Sequence, residues 1–296
     1  MTPRVSVVLP VHNGARFVQR ALDSVLGQTM QDFEIIAVDD GSTDETSEVI
    51  ASVQDRRVRL VSQPNRGLAS ARNRGVDEAN GKLIAFLDAD DEWLPDKLSK
   101  QLSSFRPGVV VYSDVMFWDD RRDQAIGTYV VFDRFPRRAD KFSGDLLTTL
   151  LAQSVVHPSS IMIAREDFNV VGAFDVSFPL AEDWDLCLRC AETMTFVRIE
   201  EPLVKVYRRP DSLSSDSARM IVAGTKVLEA ARGRLIAAGR FDDRLKAAAA
   251  LGDFGVRDMS RARRSLFAAA ARRPWMIGRW RWAVSALLWG LLRGRE

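Results

Sequence analysis

Residues 83–93 read LIAFLDADDEW. An apolar run ends in three carboxylates, Asp88, Asp90 and Asp91. Carboxylates aimed at one point repel each other and raise one pKa. Alternate residues of an extended segment point the same way, so Asp88 and Asp90 are expected to converge. A divalent cation at that point would remove the repulsion. A donor set of oxygen alone suits Mn2+ or Mg2+ rather than zinc. Mg2+ takes one or two carboxylates and completes its shell with water and phosphate oxygens. The plainer reading of a lone DxD triplet is a solvated acidic turn.

Two other stretches carry related chemistry. VDDGSTDET contains Asp39 and Asp40. A carboxylate there can accept a hydrogen bond from a pyrimidine N–H, or simply cap a helix. NRGLASARNRG supplies Arg66, Arg72 and Arg74. The guanidinium fork matches phosphate and carboxylate oxygens, although an exposed helical Arg is usually just solubilising.

These groups need elements to position them. Val5 to Leu9, Phe33 to Val38, Val58 to Ser62 and Lys82 to Leu87 read as buried strands. Between them, Phe17, Val18, Ala21, Leu22, Val25 and Leu26 recur at helical spacing. Ser42 to Glu45 reads as a capping box. A helix from Leu68 to Ala79 is expected to end at Gly81. Such alternation implies an α/β fold: a Rossmann-like, mostly parallel sheet with helices on both faces. Ligands bind beyond the carboxyl ends of such strands. Pro10, His12 and Asn13 fall there, as do Asp39, Asp40 and the Asp88–Asp91 cluster. Later strands are expected at Val109 to Ser113, Thr128 to Phe132 and Ile161 to Ala164. WDDRRDQ reads as a solvated turn, residues 133–142 as a loop, and Asp183 to Glu192 as a helix. From about residue 216 the pattern is all helix.

Composition sets the limits. The chain has 296 residues, 46% hydrophobic and 28% charged, which suits a soluble globular enzyme. Residues 261–296 hold nine Arg and one Glu, a balance of +8, which leaves −6 on residues 1–260 of a chain whose net charge is +2. A chain so nearly neutral is no general polyanion binder, and no nucleic-acid partner is expected. Cys187 and Cys190 are the two cysteines. They form no disulfide framework and read as packing residues of a cytoplasmic protein. The apolar stretch of MTPRVSVVLP is too short for the core of a signal peptide.

With these stretches in place, the chain resembles the family 2 glycosyltransferases of GT-A fold. The resemblance rests on VSVVLPVHNGARFVQRALDSVLGQT, FEIIAVDDGSTDET, NRGLASARNRG and GKLIAFLDADDEWLPDKL, followed by HPSSIMIAREDFNVVGAFD and EDWDLCLRCA. It covers about residues 4–208. It implies a nucleotide-sugar half over residues 1–100 and an acceptor half over 101–215 of one GT-A domain, with a helical extension over 216–296. It further implies roles for single residues. Pro10, Val11, Asn13 and Ala89 would border the nucleotide. Asp40 would bond to the base, and Asp39 would support the loop. Arg72 would approach the base or the diphosphate. Asp88 and Asp90 match the DxD metal motif, with Asp90 the direct ligand. Asp183 matches the catalytic base, flanked by Glu182 and Trp184 at the acceptor site. His157 would order the acceptor pocket, or serve as a hydrogen-bonded structural His.

The activity so implied is inverting transfer from a UDP-, dTDP- or GDP-sugar to a hydroxyl of a glycan or lipid-linked acceptor, with Mn2+ or Mg2+. One departure stands out. Where many relatives carry Tyr-Arg, a spacer and a His, this chain has Tyr207-Arg208-Arg209-Pro210-Asp211-Ser212. Arg208 or Arg209 is expected to take over at the diphosphate. Residues 274–293, PWMIGRWRWAVSALLWGLLR, place four Trp among Arg. The uncharged run is too short to span a bilayer but suits the headgroup region of an inner membrane face. Packing on protein is the alternative. Two rival functions stay open: a sugar-1-phosphate nucleotidyltransferase, against which PVHNGARF offers a single Gly, and a nucleotide-sugar-binding scaffold without turnover.

Overall fold

The computed structural model describes residues 2–128, 145–209, 212, 217–242 and 245. The chain divides into two units, residues 1–146 with 155–215, and residues 147–154 with 216–296. In the first unit the described strands form one mixed sheet. They are β1 (Val5–Val11), β2 (Phe33–Asp40), β3 (Val58–Gln63), β4 (Leu83–Phe86), β5 (Glu92–Trp93), β6 (Val109–Asp119), β7 (Gln124–Thr128), β8 (Ile161–Ala164) and β9 (Thr195–Arg208). Their order is β3-β2-β1-β4-β8-β6-β9-β5, with β7 paired to β6.

Strands β3, β2, β1 and β4 run parallel, and β8 joins β4 antiparallel. Every residue of β1 is buried. A parallel strand covered on both faces can carry an unbroken apolar run, as VSVVLPV nearly does. Its alternate residues Val5, Val7, Leu9 and Val11 share a core with Val18, Ala21, Leu22 and Val25 of helix α1 (Ala15–Leu26). Val8 points to the other face, against Gly75 of helix α3 (Leu68–Asp77). The remaining helices of this unit are α2 (Thr46–Ala51), α4 (Lys97–Ser104), α6 (Arg165–Val171) and α7 (Glu182–Thr193). In the second unit, α5 (Leu147–Ala152) buries Leu147, Leu150 and Leu151. Helix α8 (Ser217–Ala237) buries Val227, Leu228, Ala231 and Leu235 along one face.

Two sequence expectations need correction. Ser42 is not a helix cap: α2 begins at Thr46 with no side-chain cap bond. The Ser42 hydroxyl instead accepts from the Asn13 amide at 2.8 Å, and Asp44 accepts from the Thr46 amide at 3.1 Å. Gly81 does not end α3, whose C-cap is Glu78. It is needed because the chain passes so close to β1 that a Cβ would sit 2.6 Å from the Ser6 amide nitrogen. The strand expected from Thr128 starts earlier, since β7 covers Gln124–Thr128. Its expected continuation, the 133–142 loop and the 274–293 segment lie outside the described residues. Both cysteines are buried and free, and burial raises the thiol pKa of each, in keeping with packing residues.

Two glycine substitutions should therefore move stability in opposite directions. Gly81→Ala should cost about 1–3 kcal/mol through overpacking. Gly233→Ala, in α8 with nothing within 4 Å of its added Cβ, should gain up to about 1 kcal/mol. Denaturant midpoints check both; a tolerated Gly81→Ala would contradict the close approach to β1.

Candidate active site

The carboxyl ends of β1, β2 and β4 meet at one edge of the sheet. Register sets Pro10 opposite Val38 and Val11 opposite Asp39. Beyond β1 the chain turns through Asn13, which adopts a left-handed φ of 50°. That conformation is uncommon for a residue with a side chain, although Asn tolerates it best. Asn13 accepts from the Thr43 amide at 2.8 Å through Oδ1. His12 Nδ1 lies 3.0 Å from the Asp40 carbonyl, and its Nε2 lies 3.1 Å from the Asn65 amide nitrogen. This network assigns the proton to Nδ1 and ties three loops together.

Asp39 and Asp40 are both buried. Asp39 accepts from the Ser42 amide at 2.9 Å and from the Ser47 hydroxyl, and these bonds outweigh burial to lower its pKa. Asp40 accepts from Gln63 Nε2 at 2.7 Å and from the amides of Arg66 at 2.9 Å and Gly67 at 2.8 Å. A carboxylate offers about four acceptor positions. Asp40 therefore keeps one, on Oδ2, and Asp39 keeps two.

The acidic cluster after β4 is a turn, not the extended segment expected. The Asp91 amide donates to the Asp88 carbonyl at 3.0 Å, which curls the chain between them. The three carboxylates consequently find different partners. Asp88 pairs with Arg72 at 2.6 Å. Asp90 pairs with Arg209. Burial, and then the Asp88 charge, raise the Asp90 pKa. Asp91 faces inward and accepts from the Ser159 hydroxyl in a 2.5 Å bond. Burial holds its pKa well above the usual carboxylate range.

Ser159 was not singled out by its sequence, yet all its polar atoms serve this corner. Its hydroxyl accepts from the Asp88 amide at 3.1 Å while donating to Asp91. Its carbonyl accepts from the Trp93 indole at 2.8 Å. Its amide donates to His157 Nδ1 at 3.3 Å. Burial lowers the His157 pKa to about 4, so its ring is neutral, with the proton on Nε2. His157 is thus a hydrogen-bonded cap of the Pro158–Ser160 turn.

Arg72 joins this corner to the start of α7. Its guanidinium is 1% exposed and bonds Asp88 through Nη2 and Glu182 through Nη1. Its Nε is buried and has no hydrogen-bond partner. Phe174 lies under the guanidinium, 5.2 Å from its carbon, and Asn73 fixes the Phe174 backbone through two bonds of 2.8 and 2.9 Å. Of the three arginines in NRGLASARNRG only Arg72 reaches the acidic corner. Arg66 is exposed, and Arg74 pairs with Glu78 on the surface of α3.

Ala181, immediately before α7, is held at a φ of 62°. A non-glycine residue kept there costs of order 1–3 kcal/mol and persists where the surroundings fix it. It sets Glu182 against Arg72 and leaves Asp183 half-buried. Burial, and then the Glu182 charge, push the Asp183 pKa up to about 7. Trp184 is buried in the helix.

At the far side, Arg209 packs its guanidinium 3.9 Å over Phe17 while pairing with Asp90. Arg208 is exposed, 4.3 Å over Phe117. Arg20, also missed in the sequence, stacks 3.5 Å over Tyr207 and donates to the Asp90 carbonyl at 3.3 Å.

Among the described residues no three His, Cys, Asp or Glu side chains form a ready metal cage. Asp88 and Asp90 nevertheless fit a cation that keeps waters and phosphate oxygens in its shell. Their mutual repulsion, visible at Asp90, is what such a cation would relieve. No helix among the described residues is long and apolar enough to cross a membrane.

Known proteins resemble this chain in sequence and in fold. The chain is 31% identical over 208 residues to an uncharacterized glycosyltransferase of Rickettsia prowazekii, covering 69% of this chain and 64% of that one. It thus spans less than two thirds of that relative. Residues 1–349 of S. aureus TarS, solved with UDP-GlcNAc, superpose with a TM-score of 0.60 at 15% identity, over 92% of each chain. A mannosyltransferase from Pyrobaculum calidifontis, solved with GDP-Man and Mn2+, gives a TM-score of 0.59 at 20% identity, over 92% of this chain and 76% of that one. At such identities the two structures establish the GT-A fold. The Glycosyl transferase family 2 profile matches residues 6–169, more than half of the sequence, and the chain belongs to that family.

Proposed function

We propose that the chain is an inverting glycosyltransferase that moves a sugar from a nucleotide-sugar donor to a hydroxyl of a glycan or lipid-linked acceptor. The observation that carries this reading is Asp183. It is a half-buried carboxyl beside the Arg72-linked acidic corner, with a pKa near the working pH of a general base. UDP-GlcNAc and GDP-Man in the two structural neighbours support the donor class, and Mn2+ in one of them supports the metal.

In this reading the nucleotide lies along Pro10, Val11 and Asn13. Its base bonds to the acceptor position left on Asp40 or to those on Asp39, and Ala89 borders the sugar-phosphate. Asp88 and Asp90 would hold a divalent cation, which would supply Lewis-acid stabilisation of charge on the departing diphosphate. Arg72 is withdrawn from that contact. It lies beneath the corner and fixes Asp88 and Glu182 relative to each other. Asp183 takes the proton of the acceptor hydroxyl as that oxygen bonds to the anomeric carbon. The bond from that carbon to the phosphate oxygen breaks on the opposite face, its electron pair leaving with the diphosphate. Glu182 keeps the base from ionising too readily. His157 offers its Nε2–H, and Trp184 supports the helix that carries the base. Peripheral membrane contact through residues 274–293 completes the reading and would bring a lipid-linked acceptor to the site.

Three outcomes test it. Asp183→Asn should lower kcat by about 10²–10⁴-fold while donor affinity stays. For the wild type, log kcat/KM should rise with pH through about 7 and then level, because the protonated form of a raised carboxyl cannot accept a proton. Asp183→Asn should lack that limb, and turnover within tenfold of wild type would remove Asp183 as base. Second, nucleoside diphosphates screened with Mn2+ should include one that stabilises the fold by about 2.7 kcal/mol at 100 times its Kd. Metal-dependent binding without turnover on any nucleotide sugar would favour the scaffold instead. Third, the chain should co-sediment with anionic vesicles, and removal of residues 274–296 should abolish this. Unchanged sedimentation would assign that segment to protein packing.

A further inference from the structure

The sequence leaves one gap at the proposed site: no His follows Tyr207-Arg208. Arg209 stands there, with its guanidinium on the Asp90 carboxylate. It bonds the Asp90 oxygen and packs on the face of Phe17 at 3.9 Å. Its side chain is 10% exposed, so the pair is largely withdrawn from water. Asp88 is meanwhile bound to Arg72, itself buried and fixed between two carboxylates. Each carboxylate of the DxD motif thus already has a guanidinium as counter-ion. The two differ in what releasing them requires. Freeing Arg72 would strand a buried charge among carboxylates. Arg209 follows the last residue of β9 and has half-buried Asp90 as its ion-pair partner, whereas Arg72 is closed in between Asp88 and buried Glu182.

We propose that Arg209 is a resident occupant of the cation position at Asp90, which a divalent metal must displace to bind. This rests on the reading of Asp88 and Asp90 as metal ligands and names the residue that sets their affinity. A lone metal ion competes with Arg209 and binds weakly. A diphosphate changes the balance, because it gives the guanidinium another pair of oxygens within the same corner. Metal and diphosphate then favour each other by linkage: whatever draws Arg209 from Asp90 raises metal affinity, and metal on Asp90 frees Arg209 for phosphate. Charge supports this exchange. Asp88, Asp90 and Glu182 face Arg72 and Arg209, three negative charges against two positive. Adding a dication without moving Arg209 would place it beside a guanidinium. Arg20, bonded to the Asp90 carbonyl and stacked on Tyr207, keeps the backbone of the turn in place during the exchange.

The test uses Mn2+ alone, with no nucleotide, and reads free Mn2+ by electron paramagnetic resonance in the wild type, Arg209→Gln, Arg209→Lys and Asp90→Asn. Arg209→Gln should bind Mn2+ about two- to fivefold more tightly than the wild type, the worth of a partly exposed ion pair. Equal or weaker binding by Arg209→Gln would overturn the proposal. Asp90→Asn separates this from failure of the metal site itself. If Mn2+ binding is unaffected by Asp90→Asn, the metal is not at Asp90 and the underlying reading fails. If Asp90→Asn abolishes binding and Arg209→Gln does not tighten it, only the displacement is wrong. Should Arg209→Gln not fold, the wild type answers through Mg2+ titration. One arginine Nε–H resonance, absent from the Arg209→Lys spectrum, should shift as Mg2+ saturates, and its constancy would contradict displacement.

Discussion

Arg72 sits between Asp88 and Glu182 with almost no access to water. A guanidinium so placed is tolerated only while both carboxylates remain; breaking such a buried pair typically costs about 3–5 kcal/mol. The constraint acts in both directions. It fixes the turn that follows β4 against the start of α7, two segments nearly a hundred residues apart in sequence. Asp90 and Asp183, the two groups with most to do in the proposed reaction, each lie within two residues of one end of this bridge. Their separation is therefore set by a side chain that need not touch substrate. Phe174 beneath the guanidinium and Asn73 beside it extend the same support into α3.

Around this bridge the site is a set of carboxylates in unlike environments. Asp91 is buried and accepts from the Ser159 hydroxyl, Asp90 is half-buried and ion-paired, and among the described residues Asp183 has no cation on its own oxygens. Their affinities for a proton separate accordingly. Similar residues thus acquire different tasks: structural anchor, proposed metal ligand and proposed base. Ser159 does much of the sorting, since it joins the Asp88 amide, the Asp91 carboxylate, Trp93 and His157.

The parallel half of the sheet could be read from the chain because buried parallel strands are nearly continuous apolar runs. VSVVLP, FEIIAV and LIAFL each met that pattern. Ends of elements were harder. Ser42 to Glu45 satisfies the spacing of a capping box, but the Asn13 amide claims the Ser42 hydroxyl from another loop. Gly81 looked like a helix stop, whereas its reason is the nearness of β1. Both are tertiary effects with no local signature. The acidic residues themselves were legible, because three carboxylates after a strand are rare without a partner. Their partners were not. Arg72 was expected at the base or the diphosphate, and its pairing with Asp88 and Glu182 had no signal in the sequence. Ser159 and Arg20 belong to ordinary-looking stretches, and only the packing brings them to the corner.

The central claim is that the acidic corner, paired here with two arginines, is built to release one of them from Asp90 to a diphosphate as a metal takes its place. Anomalous diffraction at the manganese edge from crystals soaked in Mn2+ with UDP or GDP addresses it directly. The account predicts a single manganese peak within bonding distance of Asp90, with Arg209 turned to the phosphates and Arg72 unmoved between Asp88 and Glu182. Bound nucleotide with no manganese at the corner, and Arg209 still on Asp90, would contradict it.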